Sequence, residues 1–387
     1  MQLPAPTGPR PVGTSIFLVT DPARGMGPDG AERPRILTVH AWYPAAERGG
    51  ELAPYLREPD AARAFREANP GLADRLLVEG VTTHAVLDAP VARVQGGLPV
   101  LVFSHGYLSV PGDYTALMED LASHGYAVIS IVHPYEATAT AFGDGRVATM
   151  LGEQGLNTLA AGVLAEWDEE DSVSSAVTSA PTRAGAEQIL REYLGRIPNS
   201  TASIARWVED TRVVVDRLQA LAAAGSGDRF AGRLALARLG ALGHSMGGIT
   251  SAAFCARDPR CRAAINLDGS PQYGDLIDHP DSRPFLMVYA ARPGRLGVSD
   301  AIYAKGDSAW RADLAGALHL NFGDFQYRTG TARLGNALGT ITAERSTTVV
   351  HRVVLDWFGH WLLGRRSPLL TGESPFPELR MSRIARE

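Results

Sequence analysis

The chain of 387 residues is short of several things, and each shortage removes a class of function. It has no excess of basic residues. Lys and Arg number 37 against 42 Asp and Glu, a formal net charge of −5. A surface that neutralises phosphate backbones needs the opposite balance, so nucleic acid is not expected as a partner. No apolar run approaches the roughly 18 residues of a membrane span, so no transmembrane segment is predicted. The opening Met1-Gln2-Leu3-Pro4-Ala5-Pro6 lacks the basic start and apolar core of a signal peptide. That predicts a cytoplasmic protein, or a secreted one if a leader was trimmed away. There are two cysteines, Cys255 and Cys261, too few for a disulfide framework. They read as small semi-buried residues, with a local bridge as the alternative because they are close in sequence. The ten histidines are scattered, without the paired spacing of a zinc site, so neither metal nor cofactor is expected.

What is present is a pattern of buried strands alternating with helices. Ser15–Val19 and Arg35–Trp42 read as antiparallel strands, and 52–78 as peripheral helix. Leu98–Phe103, Tyr126–Val132, Arg238–Leu242, Arg262–Leu267 and Pro284–Tyr289 are near-continuous apolar runs, as strands buried on both faces should be. A helix is expected from about Asp113 to His124. The alternation implies an α/β fold with a mostly parallel central sheet and helices on both faces. The chain is expected to form one domain over 1–387, with a polar, Ala-rich insertion at about 147–200 lying over or beside the sheet. The acidic run Glu166–Asp171 within it reads as a solvated face, since it lacks the spaced ligands and turn glycine of a calcium loop. Near the C-terminus Val349, Val350, Val353, Val354, Trp357, Phe358, Trp361 and Leu362 recur at helical spacing, the stripe of a long packing helix.

Gly243-His244-Ser245-Met246-Gly247 matches G-x-S-x-G. The pattern alone arises by chance, but here an apolar strand runs into it and a helix-compatible stretch from Gly248 follows. That is the strand–turn–helix setting of a nucleophile elbow, with Ser245 as the nucleophile. Acyl transfer also needs donors aimed at the developing oxyanion. The backbone N–H of Met246 is one candidate, and that of Tyr107, on the loop Ser104-His105-Gly106-Tyr107, is the other.

The base should follow the nucleophile in sequence on this kind of fold, which sets His105 aside as a loop-shaping residue. Of the later histidines, His351 and His360 fall on the C-terminal helix and His279 in a turn. His319, opening a loop of polar and aromatic residues, is the base by elimination. Asp268, at the end of the strand reaching Leu267, and Asp300, after the next strand, are both candidates for the acid. The edge position favours Asp268.

Phe103-Ser104-His105-Gly106, Asp120–Tyr126, Gly243–Gly248, Asn266-Leu267-Asp268 and His319–Phe325 together resemble the plasma-type platelet-activating-factor acetylhydrolase family, in order and rough spacing. The opening Pro4–Pro9 with Val12-Gly13 is similar too. The resemblance implies an α/β-hydrolase fold and a calcium-independent serine esterase that removes short or oxidised sn-2 acyl groups from phospholipids. It implies a triad of Ser245, Asp268 and His319, with Tyr107 and Met246 as oxyanion donors. The chain departs from the family where Tyr107-Leu108-Ser109 replaces the usual Leu-Gly after His-Gly, and where residues 52–66 are rich in charge rather than apolar. The expected partner is therefore a small ester or a phospholipid substrate, with weak or no membrane docking. The alternatives are a general esterase or polyester hydrolase with no phospholipid role, and a non-catalytic binding protein on the same fold.

Overall fold

A computed structural model describes residues 1–26, 34–152, 155–270, 275–278, 283–292, 295, 297–303, 308–329 and 337–384. His279 lies outside them. The chain forms two compact units. The first holds Met1–Ala160, Asp210–Ala237 and a short segment from Gly323; the second holds Ala161–Glu209, Arg238–Phe322 and the C-terminal stretch.

In the first unit, β1 (Val12–Gly25) pairs antiparallel with β2 (Pro34–Pro44). Beyond β1 lie β3 (Leu52–Pro54) and β4 (Thr82–Leu87). On its other side β2 pairs antiparallel with β6 (Ala127–Ile131), which runs parallel to β5 (Leu98–Ser104). Every residue of β5 and β6 is buried, as their unbroken apolar runs predict. Two small hairpins follow, β7 (Ala139–Ala141) with β8 (Val147–Thr149) and β9 (Leu151–Gly152) with β10 (Gly155–Leu156). The region expected to be peripheral helix divides into β3, α1 (Pro59–Ala68) and α2 (Pro70–Leu76). Pro59 and Pro70 each sit at a helix start, where the missing N–H costs nothing. Helix α3 (Thr115–Ser123) lies in the expected place between β5 and β6.

The segment at 147–200 continues through α4 (Thr158–Ala165), α5 (Glu170–Thr178) and α6 (Arg183–Leu194) to α7 (Pro198–Ala222). Its hairpins belong to the first unit and its residues from Ala161 to the second.

In the second unit β11 (Leu234–His244), which enters it at Arg238, β12 (Cys261–Leu267), β13 (Phe285–Ala290) and β14 (Ala309–Leu314) run parallel, and β15 (Leu379–Arg383) closes the edge antiparallel. Helix α8 (Met246–Arg257) connects β11 to β12. Cys255 near its end and Cys261 at the start of β12 form a disulfide, so the local bridge, rather than two free thiols, is what the chain contains. Short helices α9 (Asp275–Asp278) and α10 (Asp300–Tyr303) precede the long α11 (Ala343–Leu363). The stripe of α11 is buried from Val349 to Leu362, except Trp361, which is half-buried. Burial of one such side chain is worth about 1.5–3 kcal/mol.

Candidate active site

The site is a product of strand register. His244 pairs with Leu267 across β11 and β12, and Leu267 with Val288 across β12 and β13. The residues just past these strand ends, Ser245 and Asp268, therefore emerge side by side at one carboxyl edge. Two backbone bonds fix them there. The Ser245 N–H donates to Leu267 O at 2.9 Å, and the Asp268 N–H to Val288 O at 2.8 Å.

Both residues hold backbone conformations that L side chains avoid. Ser245 has φ 55° and ψ −127°, and Asp268 has φ 55°. Strain of this kind costs on the order of 1–3 kcal/mol and persists only where surrounding bonds enforce it. The glycines beside these turns are required by close approach. A Cβ at Gly248 or at Gly269 would overlap the Asn266 side chain, whose Oδ1 accepts from the Gly269 N–H at 2.8 Å.

The Asp268 carboxylate is fully engaged. Oδ1 accepts from the Ala290 N–H at 2.8 Å, while Oδ2 accepts from His319 Nδ1 at 2.7 Å and from Arg292 Nη2 at 2.8 Å. With Nδ1–H directed at the carboxylate, Nε2 of His319 carries the lone pair. The imidazole is a third exposed. Its backbone carbonyl accepts from His244 Nε2 at 2.9 Å, and the two rings lie 4.4 Å apart. Burial holds the pKa of His244 well below 6.5, and the neighbouring His319 adds to this, so His244 is the neutral donor this bond needs.

Ser245 and His319 line one cavity of about 180 Å³ with Trp167, Glu170, Ser270, Arg292 and Arg295. Trp167 and Glu170 come from the 147–200 segment. Glu170 is bonded to Ser270 and Arg295, and Arg295 reaches Asp171 through Nε at 2.9 Å. The acidic run read as a solvated face thus contributes a wall of this cavity, although Asp171 itself remains exposed.

Residues 37–160 match the family described as platelet-activating factor acetylhydrolase, isoform II. The chain is 25% identical to a probable 1-alkyl-2-acetylglycerophosphocholine esterase of Arthroderma benhamiae, over 97% of this chain and 92% of that protein. It is 27% identical to the platelet-activating factor acetylhydrolase of Canis lupus familiaris, over 65% of this chain and 53% of the relative, about half its length. Among solved structures, a ferulic acid esterase from Streptomyces cinnamoneus superposes with a TM-score of 0.73 at 27% identity, covering 98% of this chain and 99% of the other. The chain is a carboxylic-ester hydrolase related to the platelet-activating-factor acetylhydrolases. The α/β-hydrolase fold and the family likeness expected from its sequence blocks both hold.

Of the residues singled out in this esterase, Ser245, Asp268 and His319 meet in the second unit, with Met246 opening α8 directly after Ser245. Asp300 is committed elsewhere. Its carboxylate accepts from Tyr289 OH at 3.0 Å and Arg311 Nη1 at 2.9 Å. His351 and His360 lie on α11.

His105 is fully buried in the first unit, where Nδ1 donates to Gly106 O at 2.7 Å and Nε2 accepts from the His133 N–H at 3.3 Å. Burial, with His133 nearby, pushes its pKa down to about 3. A neutral ring buttressing the Gly106-Tyr107 turn is the loop-shaping role expected of it. Beneath it, His133 Nδ1 donates to Asp210 at 2.8 Å, and Arg35 grips the same carboxylate with two bonds of 2.7 Å.

Two contributors were missed. Arg292 left no sequence signal, because its bond to Asp268 exists only through the fold. His244 had one, as the residue before the nucleophile in G-x-S-x-G.

Proposed function

We propose that this hydrolase works through an acyl-enzyme on Ser245. His319 Nε2 takes the Ser245 proton as the hydroxyl attacks the ester carbonyl. Asp268 holds His319 in the required tautomer and stabilises its cation. The N–H of Met246, a first-turn donor of α8 that the helix leaves without an internal partner, receives the oxyanion, and the Tyr107 N–H is the second donor that the family resemblance implies. The alcohol leaves with the proton from His319, and water activated by the same ring releases the acid. The observation that carries the reading is the 2.7 Å bond from His319 Nδ1 to Asp268 beside a cavity that Ser245 also lines. Labelling by a fluorophosphonate that disappears in Ser245→Ala tests it.

The substrate class is short-chain esters, including short or oxidised sn-2 acyl groups of phospholipids, in keeping with the names of the relatives. A cavity of about 180 Å³ beside Ser245 and His319 has room for a short acyl group. A second reading, an aryl ester of the ferulate kind, is favoured by the near-complete overlap with the Streptomyces esterase and by Trp167 among the residues that line the cavity. Rates on acetyl, butyryl and hexadecanoyl p-nitrophenyl esters, a short-chain phosphatidylcholine and methyl ferulate separate the two.

Weak membrane docking is part of the proposal. α1 presents exposed ion pairs, Arg63 with Asp60 and Arg66 with Glu79, in place of an apolar face. Among the described residues no helix is long and apolar enough to cross a membrane. The Cys255–Cys261 bridge favours a non-reducing compartment over the cytoplasm.

A further inference from the structure

Four arginines, Arg10, Arg48, Arg93 and Arg233, line a single open groove of about 680 Å³ that belongs wholly to the first unit, whereas Ser245 belongs to the second. No carboxylate lies among the lining residues, which are otherwise prolines, alanines and one valine. Arg10, Arg48 and Arg93 are exposed, and Arg233 is half-buried with an Nε that is fully buried and has no hydrogen-bond partner. None of the four has an ion-pair partner among the described residues. This contrasts with Arg24, Arg35, Arg311 and Arg345, each tied to one or more carboxylates. Four like charges converge on one groove of a chain whose formal net charge is −5.

Backbone hydrogen bonds fix much of the wall and occupy several of its carbonyls. The Ala45 N–H binds Pro11 O and the Ala46 N–H binds Pro90 O, both at 2.8 Å, and Ala45 bridges Val91. The Arg233 carbonyl is held by the Leu98 N–H at 2.7 Å, and the Pro9 carbonyl takes one donor from Arg48 at 3.2 Å. With these four carbonyls engaged and no carboxylate in the lining, the charged groups that the groove presents are guanidinium donors. A frame that is rigid beforehand lowers the ordering cost of binding.

We propose that this groove is a binding site for a phosphate-type oxyanion, separate from the ester-cleaving cavity. The planar guanidinium fork matches two oxygens at a time, and a tetrahedral phosphate or a diphosphate presents enough oxygens to engage more than one arginine. A single carboxylate satisfies one fork and leaves the others unpaired. The ligand is a free phosphorylated small molecule or the phosphate of an anionic lipid headgroup.

The experiment uses the full chain and the exposed pair Arg48→Gln/Arg93→Gln. Binding of inorganic phosphate and of pyrophosphate is measured by titration calorimetry. Sedimentation is measured with phosphatidylcholine vesicles with and without phosphatidylglycerol. Hydrolysis of p-nitrophenyl acetate and thermal stability serve as controls, and both are expected to stay at wild-type values. Pyrophosphate should bind more tightly than phosphate, with affinity falling as salt rises and at least tenfold weaker in the double variant. Binding confined to the anionic vesicles and lost in the variant supports the site with a lipid source. No binding to any probe, equal binding by the variant, or citrate binding as tightly as pyrophosphate overturns the proposal.

Discussion

His319 and Arg292 bind the same oxygen of Asp268, at 2.7 and 2.8 Å, while the other oxygen is fixed by the Ala290 N–H. The carboxylate is therefore oriented from two sides, and loss of the arginine leaves it anchored. Asp268→Asn is expected to lower kcat by about 10,000-fold, the scale of tautomer loss in such triads. Arg292→Gln should stay within about tenfold of wild type, because the histidine keeps its carboxylate partner. Asp300→Asn should leave kcat nearly unchanged and instead reduce stability, since its partners Tyr289 and Arg311 are structural. Matched kinetics on the three variants check the order; an equal loss in Asp300→Asn would move the acid to that position.

Ser245 combines its proposed role as nucleophile with a strained backbone. Ser245→Ala and Ser245→Gly should both reduce kcat by several orders of magnitude. They should differ in stability, because φ 55° with ψ −127° suits glycine and penalises alanine. The glycine variant should be more stable than the alanine variant by about 1 kcal/mol. Urea denaturation of the two proteins reads the difference, and equal midpoints would remove strain from the account.

Acid should destabilise the first unit in a defined window. Burial holds His105 at about 3 and also lowers His133. Both rings are neutral in the folded chain, while their unfolded counterparts titrate near 6.5. The stabilising difference is complete above 6.5 and is lost as pH falls from there toward 3, because the unfolded chain takes up protons first. Burial alone would raise the pKa of Asp210, but Arg35 and His133 hold it below the usual carboxylate range, so it stays charged through this window. Melting temperature should fall steeply between pH 6.5 and 4, and the slope should be shallower in His105→Asn.

The disulfide joins residues six apart, at the far end of the helix that Ser245 begins. A loop this short constrains the unfolded chain modestly, by about 2 kcal/mol in the chain-entropy model. Cys255→Ala/Cys261→Ala should lower the unfolding free energy from urea denaturation by that amount while kcat holds. A large loss of activity would instead show that the bridge reaches Ser245 through α8.

The doubly buried strands were legible because an unbroken apolar run such as Leu98–Phe103 has few other readings. β4 and β15 were not foreseen. Thr82–Leu87 and Leu379–Arg383 are short and carry polar residues that also suit loops. Ser245 and Asp268 were readable because strand ends announce themselves in sequence and register then brings them together. Arg292 was not, since nothing local distinguishes it from its neighbours. The cysteines read as small semi-buried residues, with a bridge only as the alternative, because a spacing of six does not itself demand one; the placement of the α8 end against β12 decides.

Trp167 and Glu170 reach the Ser245 cavity from the helical segment that ends in α7, while Ser245, Asp268 and His319 follow strands of the sheet. On the proposed mechanism, part of the cavity wall and the reacting groups are thus encoded on separate stretches of chain. Substitutions around Trp167 can drift without disturbing the register that aligns the reacting groups, so descendants of one ancestor can change diet while keeping the same cutting tool.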